Sequence, residues 1–238
     1  MKGKKKLIVL TGAGISAESG LKTFRDSDGL WMGYDVYEVA SPHGWKKDPK
    51  LVLDFYNMRR RDVAAASPNA AHIGLAELEK DFDVTIVTQN IDDLHERAGS
   101  TNIIHLHGEI FKMRGESFDG AQDDSKVYDI RDDINLGDTA EDGSQLRPHI
   151  VWFEEPVPKI IDAMKIMAET DIFVLVGSSL QVYPAAGLVD YVPLHVPKYI
   201  IDKKIPYTSA PTNFFFIEKP ATEGVEELKR ILGSFLTC

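Results

Sequence analysis

Six short runs of apolar residues recur along this chain of 238 residues, and they constrain its fold more than any other feature. Each run is followed by a glycine or polar turn and then by a longer patterned segment. Near-continuous apolar runs of this length are typical of strands in a parallel sheet covered on both faces. The runs are LIVL (7–10), VTIV (84–87), IIHL (103–106), IFVLV (172–176), YIID (199–202) and FFFI (214–217).

Segments with helical spacing lie between these runs, near 50–64, 69–80, 158–168, 185–192 and 222–233. Alternation of strands and helices predicts an open α/β sheet with helices on both faces. Ligands of such sheets bind beyond the carboxyl ends of the strands.

Residues 116–145 interrupt the alternation with ten acidic and two basic residues. This composition predicts a solvated insertion or small lobe, mostly of turns, with a strand around Lys126 to Ile130. A disordered loop is the alternative.

The bulk composition excludes several classes of protein. A hydrophobic fraction of 43% is ordinary for a soluble domain, and a net charge of -10 argues against non-specific binding of nucleic acid. The single cysteine, Cys238, excludes a disulfide or a cysteine-based zinc site within the chain. No apolar stretch reaches the length of a signal-peptide core or a membrane span. We expect a cytoplasmic protein without membrane partners. The sequence does not fix the oligomeric state, for which a monomer is the expectation.

A glycine-rich turn follows the first apolar run, where Gly12, Gly14 and Ala17 match the pattern G-x-G-x-x-G/A. Its glycines would let the backbone approach a pyrophosphate, and the following helix would offer its positive amino end; a plain tight turn is the alternative. A dehydrogenase should then show a second strand ending in an acidic residue, about 20 residues on. A polar loop follows instead. In that loop Arg25 is placed to reach a phosphate or ribose, and Phe24 to cover a reactive sugar carbon or simply to pack.

Six motifs occurring in family order identify a resemblance to the sirtuins, the NAD-dependent protein-lysine deacylases. They are GAGISAESGLKTFR (12–25), TQNIDDLHERAG (88–99), HLHGEIF (105–111), IVWFEEPVP (150–158), VGSSLQVYPAAGL (176–188) and KPATEGVEEL (219–228). The resemblance implies one catalytic domain over 1–238, with a Rossmann-like parallel sheet and a small inserted lobe built from about 25–65 and 110–148. It implies that NAD is consumed and that the acyl group of a lysine passes to ADP-ribose with release of nicotinamide.

Two other functions stay open within the same cofactor cleft. One is a protein ADP-ribosyltransferase, and the other is a non-catalytic sensor of NAD or ADP-ribose. The presence of Asn90, Asp92 and His107 favours the deacylase.

The resemblance assigns His107 as the general base, with Asn90 as its catalytic companion. Imidazole suits that role because its pKa lies near neutrality. His105 and His107 form an alternative metal pair, since alternate residues of a strand share a face, although no well-spaced third ligand beyond Glu109 is found. A satisfied polar residue at a strand end is the plainest alternative for His107.

Most of the cofactor residues that the resemblance implies lie at or just after the carboxyl ends of predicted strands. Gln89 and Asn90 would face the nicotinamide ribose, and Ile91 and Asp92 would hold the carboxamide; Asn90 and Asp92 are equally suited to cap a helix. Asp202 stands where the family more often has asparagine. The full set is Gly12, Ala13, Gly14, Ser16, Phe24, Arg25, Gln89, Asn90, Ile91, Asp92, Gly177, Ser178, Ser179, Asp202 and Ala221.

One arginine on an apolar helical stripe gives an indication of which acyl group the protein removes. Val52, Tyr56, Arg59 and Val63 share one stripe of the predicted helix 50–64, and a buried guanidinium needs an anion. The Tyr-x-x-Arg pair resembles the sirtuins that remove succinyl, malonyl or glutaryl groups, in which both side chains bind the distal carboxylate. The alternative is a surface pair of Arg59 with Asp54 or Asp62, as expected for Arg60 and Arg61.

Other substrate contacts are implied by the resemblance alone. Ala40 would leave room for a longer acyl chain, and Val151, Trp152 and Phe153 would line the tunnel for the lysine stem.

Two features depart from the family. The first zinc-binding Cys-x-x-Cys pair would fall near Gly115 and Phe118, neither of which is cysteine, so no zinc is expected and the lobe must hold together without it. Glu154 stands where the family usually has glycine, in a segment that pairs with the substrate peptide. A side chain is tolerated there if the backbone is extended.

Overall fold

The computed structural model describes residues 3–23, 30–117, 126–207 and 212–236. Its strands are β1 (Lys6–Thr11), β2 (Leu30–Trp31), β3 (Tyr34–Asp35), β4 (Asp83–Thr88), β5 (Ile103–His105), β6 (Gly108–Gly115), β7 (Val127–Asp129), β8 (Leu146–Ile150), β9 (Ile172–Val176), β10 (Lys198–Ile201) and β11 (Phe214–Ile217). Its α-helices are α1 (Val36–Val39), α2 (Pro42–Lys47), α3 (Pro49–Ala65), α4 (Ala70–Glu77), α5 (Leu94–Ala98), α6 (Ile160–Ala168) and α7 (Ala221–Leu236).

The six predicted strands form one parallel sheet, in the order β11-β10-β9-β1-β4-β5. Thr11, the last residue of β1, lies in register with Thr88 of β4 and Val176 of β9. The loops that follow these three strands therefore leave the sheet side by side. The predicted α/β class with a Rossmann-like parallel sheet is confirmed.

Both faces of the sheet are covered, which explains the near-continuous apolar runs. Leu7 and Val9 pack in a core with residues of α4 and α7, whereas Ile8 and Leu10 pack on the other face with residues of α6. The predicted helix 185–192 is present as a 3₁₀ helix, Ala185–Tyr191, on this second face. Of the helices that the structure describes, none combines the length and apolar character needed to cross a bilayer.

A separate three-stranded antiparallel sheet, in the order β7-β6-β8, accompanies α1 to α3. Its strand β7 lies where a strand was predicted, but β6 and β8 were not predicted. Leu53, Ile134 and Leu146 form a small buried cluster beneath this sheet. A larger cluster joins α3 to the sheet through Phe55 and Ile110, among others.

Candidate functional site

The glycine turn lies against the loop after β9. Gly12 N–H donates to the Val176 carbonyl (3.0 Å), and Gly14 N–H donates to that of Gly177 (2.9 Å). A Cβ on Gly14 would lie 2.6 Å from the Gly177 Cα, and Gly177 itself has a φ of +63°. These glycines therefore allow two loops at the carboxyl edge of the sheet to approach closely.

The prediction that a helix with a positive amino end follows the glycine turn is wrong. The turn leads into two three-residue 3₁₀ helices, Ala13–Ile15 and Ala17–Ser19, which break at Gly20 with a φ of 86°. Phe24 and Arg25, predicted to contact the cofactor, lie outside the described residues.

A buried polar chain connects the glycine turn to the loop after β4. Asn90 Nδ2 donates to the Gly12 carbonyl (3.2 Å) and to Ser16 Oγ (3.1 Å), and Ser16 Oγ donates to Asp92 Oδ2 (3.0 Å). Asn90 and Asp92 are both at least nine-tenths buried. Burial raises the pKa of Asp92, although the hydrogen bonds from Ser16 and from the Leu94 N–H oppose the rise. The second of these bonds is cap-like, so part of the helix-capping alternative holds for Asp92.

The remaining predicted cofactor residues line the same edge. Gln89 Nε2 donates to Ser178 Oγ (3.0 Å), which joins the loops after β4 and β9. Asp202 directly follows β10 and accepts from the Lys204 N–H, and Ala221 begins α7. Ala13, Ile91 and Ser179 are half-buried members of these loops.

Two histidines contact consecutive carbonyls of the loop after β4. His107 Nδ1 lies 3.0 Å from the Gln89 carbonyl oxygen, and His105 Nδ1 lies 3.1 Å from that of Asn90. A carbonyl only accepts, so each Nδ1 carries the proton. Neutral His107 consequently presents the lone pair of Nε2, as a general base requires. Burial lowers the pKa of His107, and the hydrogen bond to Gln89 opposes it.

His105 has partners that leave no nitrogen for a metal. Its Nε2 lies 2.7 Å from Glu96 Oε1, and β5 ends at His105, so His107 does not continue the strand. Within the described ranges, no three His, Cys, Asp or Glu residues are grouped so as to hold a metal ion. The metal-pair alternative is not supported by this geometry.

Arg59 is buried in the interior rather than paired on the surface. Tyr56 is 0% exposed and Arg59 is 6% exposed, and Val52 and Val63 share their buried stripe. Among the described residues, Arg59 Nη1 donates to the sulfur of Met32 (3.5 Å), and the guanidinium lies over the Trp31 ring. Asp54 instead pairs with Lys50. Burial lowers the pKa of Arg59 and raises that of Tyr56.

The expectation that Arg60 pairs on the surface is wrong. Arg60 is 1% exposed and donates to the backbone carbonyl of Ile110 (2.9 Å) and to Asn57 Oδ1 (2.8 Å). It was missed because its partner strand β6 was not predicted. Arg61 is on the surface as expected, where its partner is Asp133 (2.6 Å).

The segment after β8 combines tight backbone bonds with one strained residue. Val151 N–H donates to the His107 carbonyl (2.9 Å), and Phe153 N–H donates to that of Ala40 (3.0 Å). Trp152 is 2% exposed, so its ring is covered by the surrounding residues in this structure. Glu154 has a φ of +72°, so the extended backbone considered for it is wrong, and a glycine would suit the position better.

Arg147 and Glu155 organise this segment, and sequence reasoning missed both. The Arg147 guanidinium donates to Glu155 at 2.7 and 3.1 Å and lies 3.2 Å from the centre of the Trp152 ring. Glu155 also accepts from the Trp152 N–H (2.8 Å). The signal was present as an arginine eight residues before a glutamate, but such spacing is common and indicates nothing alone.

Parallel strands with a glycine turn and polar loops at their carboxyl edge define a nucleotide-binding fold of the Rossmann-like type. The model of the Sir2 family matches residues 12–184, which is more than half of the chain. The chain belongs to the Sir2 family.

Relatives and solved structures agree with this assignment. The chain is 52% identical over 224 residues to an NAD-dependent protein deacylase of Helicobacter pylori, covering 94% of this chain and 96% of the relative. It is 50% identical over 234 residues to a protein of the same description from Bacteroides thetaiotaomicron, covering 96% and 98%. A crystal structure of a Sir2 homologue in complex with NAD superposes with a TM-score of 0.85 at 36% identity, covering 98% of this chain and 91% of that one.

Proposed function

We propose that this protein is an NAD-dependent protein-lysine deacylase. The observation that carries the proposal is His107, whose Nδ1–H is engaged by the Gln89 carbonyl and whose Nε2 is left as an acceptor beside the loop 89–92. Support also comes from the two relatives described as NAD-dependent protein deacylases, which match this chain almost from end to end.

The residues present fit NAD as a co-substrate. Gly12, Gly14 and Gly177 let the loops after β1 and β9 pack closely at the carboxyl edge of the sheet, where nucleotides bind in folds of this type. Asp92 has acceptor capacity beyond its bonds to Ser16 and Leu94, because a carboxylate offers about four acceptor positions, so it suits a carboxamide NH₂.

In the proposed reaction, the amide oxygen of acyl-lysine bonds to the anomeric carbon as nicotinamide leaves. His107 then takes a proton from a ribose hydroxyl, which attacks the acyl carbon. One water is consumed, and the products are lysine, nicotinamide and O-acyl-ADP-ribose. Asn90 orients the ribose side of this site, since its amide is fixed by Gly12 and Ser16.

Nicotinamide release with an acyl-lysine peptide tests this function. We expect release together with a peptide that loses the mass of its acyl group. A peptide or protein that gains the mass of ADP-ribose would contradict it in favour of an ADP-ribosyltransferase, and no release with any acyl chain would favour a sensor.

Within this function, we propose a preference for acyl groups that end in a carboxylate, such as succinyl, malonyl or glutaryl. Arg59 is a buried cation whose described hydrogen bond is to a thioether, which is a weak acceptor. An incoming carboxylate would replace the Met32 sulfur and form a direct ion pair with Arg59, on which Asp62 and Asp92 act only from a distance. The buried Ala40 has the small side chain that a longer acyl group requires.

Arg59→Met tests the preference on one peptide carrying succinyl or acetyl. We expect kcat/KM for desuccinylation to fall by roughly 10- to 100-fold, because a charge-assisted hydrogen bond is lost, with deacetylation nearly unchanged. Arg61→Met is the matched control, since Arg61 pairs with Asp133 on the surface. Equal losses on both substrates would overturn the preference.

A further inference from the structure

Three buried donors of one region, around the proposed carboxylate-binding residues Tyr56 and Arg59, have no hydrogen-bond partner among the described residues. They are the Tyr56 hydroxyl, Arg59 Nε and the indole Nε1 of Trp152. All three residues belong to, or border, one buried cluster. An unmet buried donor costs about 1–3 kcal/mol, so three together indicate a site that awaits an acceptor.

Of these three groups only the Tyr56 oxygen can also accept. The Trp152 indole N–H lies close enough to that oxygen to lower the pKa of Tyr56, but the contact falls outside ordinary hydrogen-bond geometry. Even if that bond formed, the hydroxyl proton of Tyr56 and the Nε proton of Arg59 would remain. Asp62 and Asp92 act on Arg59 from a distance, but neither forms an ion pair with it in the part of the chain that the structure describes. A carboxylate accepts up to about four hydrogen bonds and would form that ion pair, so it suits all three donors.

The Trp152 ring is held from two sides. The Arg147 guanidinium lies against its face, and the ring of Trp45 packs against it with centroids 5.6 Å apart. Glu155 accepts from both Arg147 and the Trp152 backbone N–H, which ties the ring and its backbone to one carboxylate. Arg147 also donates to the Ile150 carbonyl (3.0 Å), so the clamp begins at the end of β8.

We propose that the indole N–H of Trp152 is a third donor to the distal carboxylate of the acyl group, and that the Arg147–Glu155 pair is the positioning element that aims it. This inference rests on the proposed preference for acidic acyl groups. It makes Trp152 a specificity-determining residue and not only a wall of the lysine tunnel.

The chain has three tryptophans, so its indole N–H groups give three NMR signals that single Trp→Phe substitutions assign. We expect a succinyl-lysine peptide to shift the Trp152 signal downfield in the wild-type protein, and an acetyl-lysine peptide to leave it nearly unchanged. An unmoved signal at a saturating concentration of the succinyl peptide would overturn the inference. The shift itself is measured on the wild-type protein.

Kinetics of Trp152→Phe supply the second test. Losing one donor to a charged group predicts a fall of roughly 10-fold or more in kcat/KM for desuccinylation, mainly through KM, with deacetylation within about twofold. Tyr207→Phe is the control, because it removes one hydroxyl from an aromatic side chain that is 90% exposed. Equal losses on both substrates in Trp152→Phe would contradict the inference.

The positioning role is tested by Arg147→Lys, which keeps the charge but loses the planar fork. We expect a raised KM for the succinyl peptide and a broadened Trp152 signal. Arg114→Lys should change both less, because Arg114 reaches Glu155 only at 3.6 Å. An unaltered signal and KM in Arg147→Lys would remove the positioning role.

The failure of this inference differs from the failure of the function on which it rests. Equal losses in Arg59→Met overturn the preference itself. A selective loss in Arg59→Met with an unselective Trp152→Phe overturns only the third donor.

Discussion

His105 Nε2 lies 2.7 Å from a carboxylate oxygen of Glu96, while its Nδ1 donates to the Asn90 carbonyl. Both contacts are hydrogen bonds only when both ring nitrogens carry a proton, so Glu96 favours the imidazolium form of His105. Burial lowers the pKa of His105, but the hydrogen bond and charge of Glu96 outweigh it and raise the pKa overall. The loop 89–92 is thus attached to a histidine whose charged form is stabilised.

Replacing Glu96 with glutamine should destabilise the fold in a pH-dependent way. Because the pKa of His105 is higher in the folded than in the unfolded protein, the pair contributes fully to the free energy of unfolding below the unfolded pKa of about 6.5. That contribution is lost as the pH rises through the pKa of His105 in the folded protein. Burial raises the pKa of Glu96, but His105 outweighs burial and lowers it overall. The contribution of Glu96 to stability is therefore lost only when the pH falls through that lowered pKa. We expect a loss of about 1 kcal/mol near pH 6, since the Glu96 side chain is 40% exposed and partly screened.

Urea unfolding at a series of pH values measures this loss. The loss should shrink at high pH, where His105 is neutral. Glu169→Gln is the control, because its surface pair with Lys6 should contribute little at any pH. A loss as large at pH 9 as at pH 6 would show that the pair is not charged as described.

The acid limb of the pH–rate profile should lie below the ordinary histidine pKa of about 6.5. Burial outweighs the hydrogen bond to Gln89 and lowers the pKa of His107, so the base stays neutral in mildly acidic solution. His107→Ala should reduce acyl transfer by roughly 10²- to 10⁴-fold while calorimetry still detects NAD binding. His43→Ala, at an exposed position, should leave both unchanged. An acid limb well above pH 7 would argue against His107 as the base.

Glu154→Gly should stabilise the protein. The left-handed φ of +72° costs a side chain about 1 kcal/mol or more, and glycine removes that cost. Thermal or urea unfolding measures the gain. The same change at Glu223, an exposed residue in the first turn of α7, should destabilise by about 1 kcal/mol. A destabilised Glu154→Gly protein would refute the strain.

Replacing each of two adjacent arginines with alanine should lower the free energy of unfolding by very different amounts. Arg60→Ala leaves the Ile110 carbonyl and Asn57 without their buried donor, and we expect a loss of about 3 kcal/mol. Arg61→Ala removes an exposed pair and should cost at most about 0.5 kcal/mol. Urea unfolding compares them, and similar losses would contradict the assignment of Arg60 to the interior.

The large sheet could be predicted because its strands are buried on both faces, which leaves a run such as LIVL with no polar interruption. The small sheet could not. Its strand β6 places Lys112 and Arg114 among apolar residues, so the pattern resembles neither a buried strand nor a regular alternation. Without β6, nothing in the sequence gives Arg60 a partner.

The loops of the candidate site could be predicted from the sequence, but the contacts between them could not. The motifs place Gly12 and Gly177 in separate loops, and only the parallel register brings those loops together. The pairing of Arg147 with Glu155 likewise depends on the left-handed backbone of Glu154. A glutamate at that position does not predict such a conformation. Side-chain identity indicates what a group can donate or accept, but not which neighbour the fold supplies.

The carboxylate of Glu18, next to the glycine turn, receives both the backbone N–H and the hydroxyl of Thr222 at the start of α7. The last helix, α7, is thereby fastened to the loop that we propose to bind the dinucleotide. Truncation of α7, or a bulky fusion after it, would therefore weaken binding of the co-substrate before it caused the sheet to unfold.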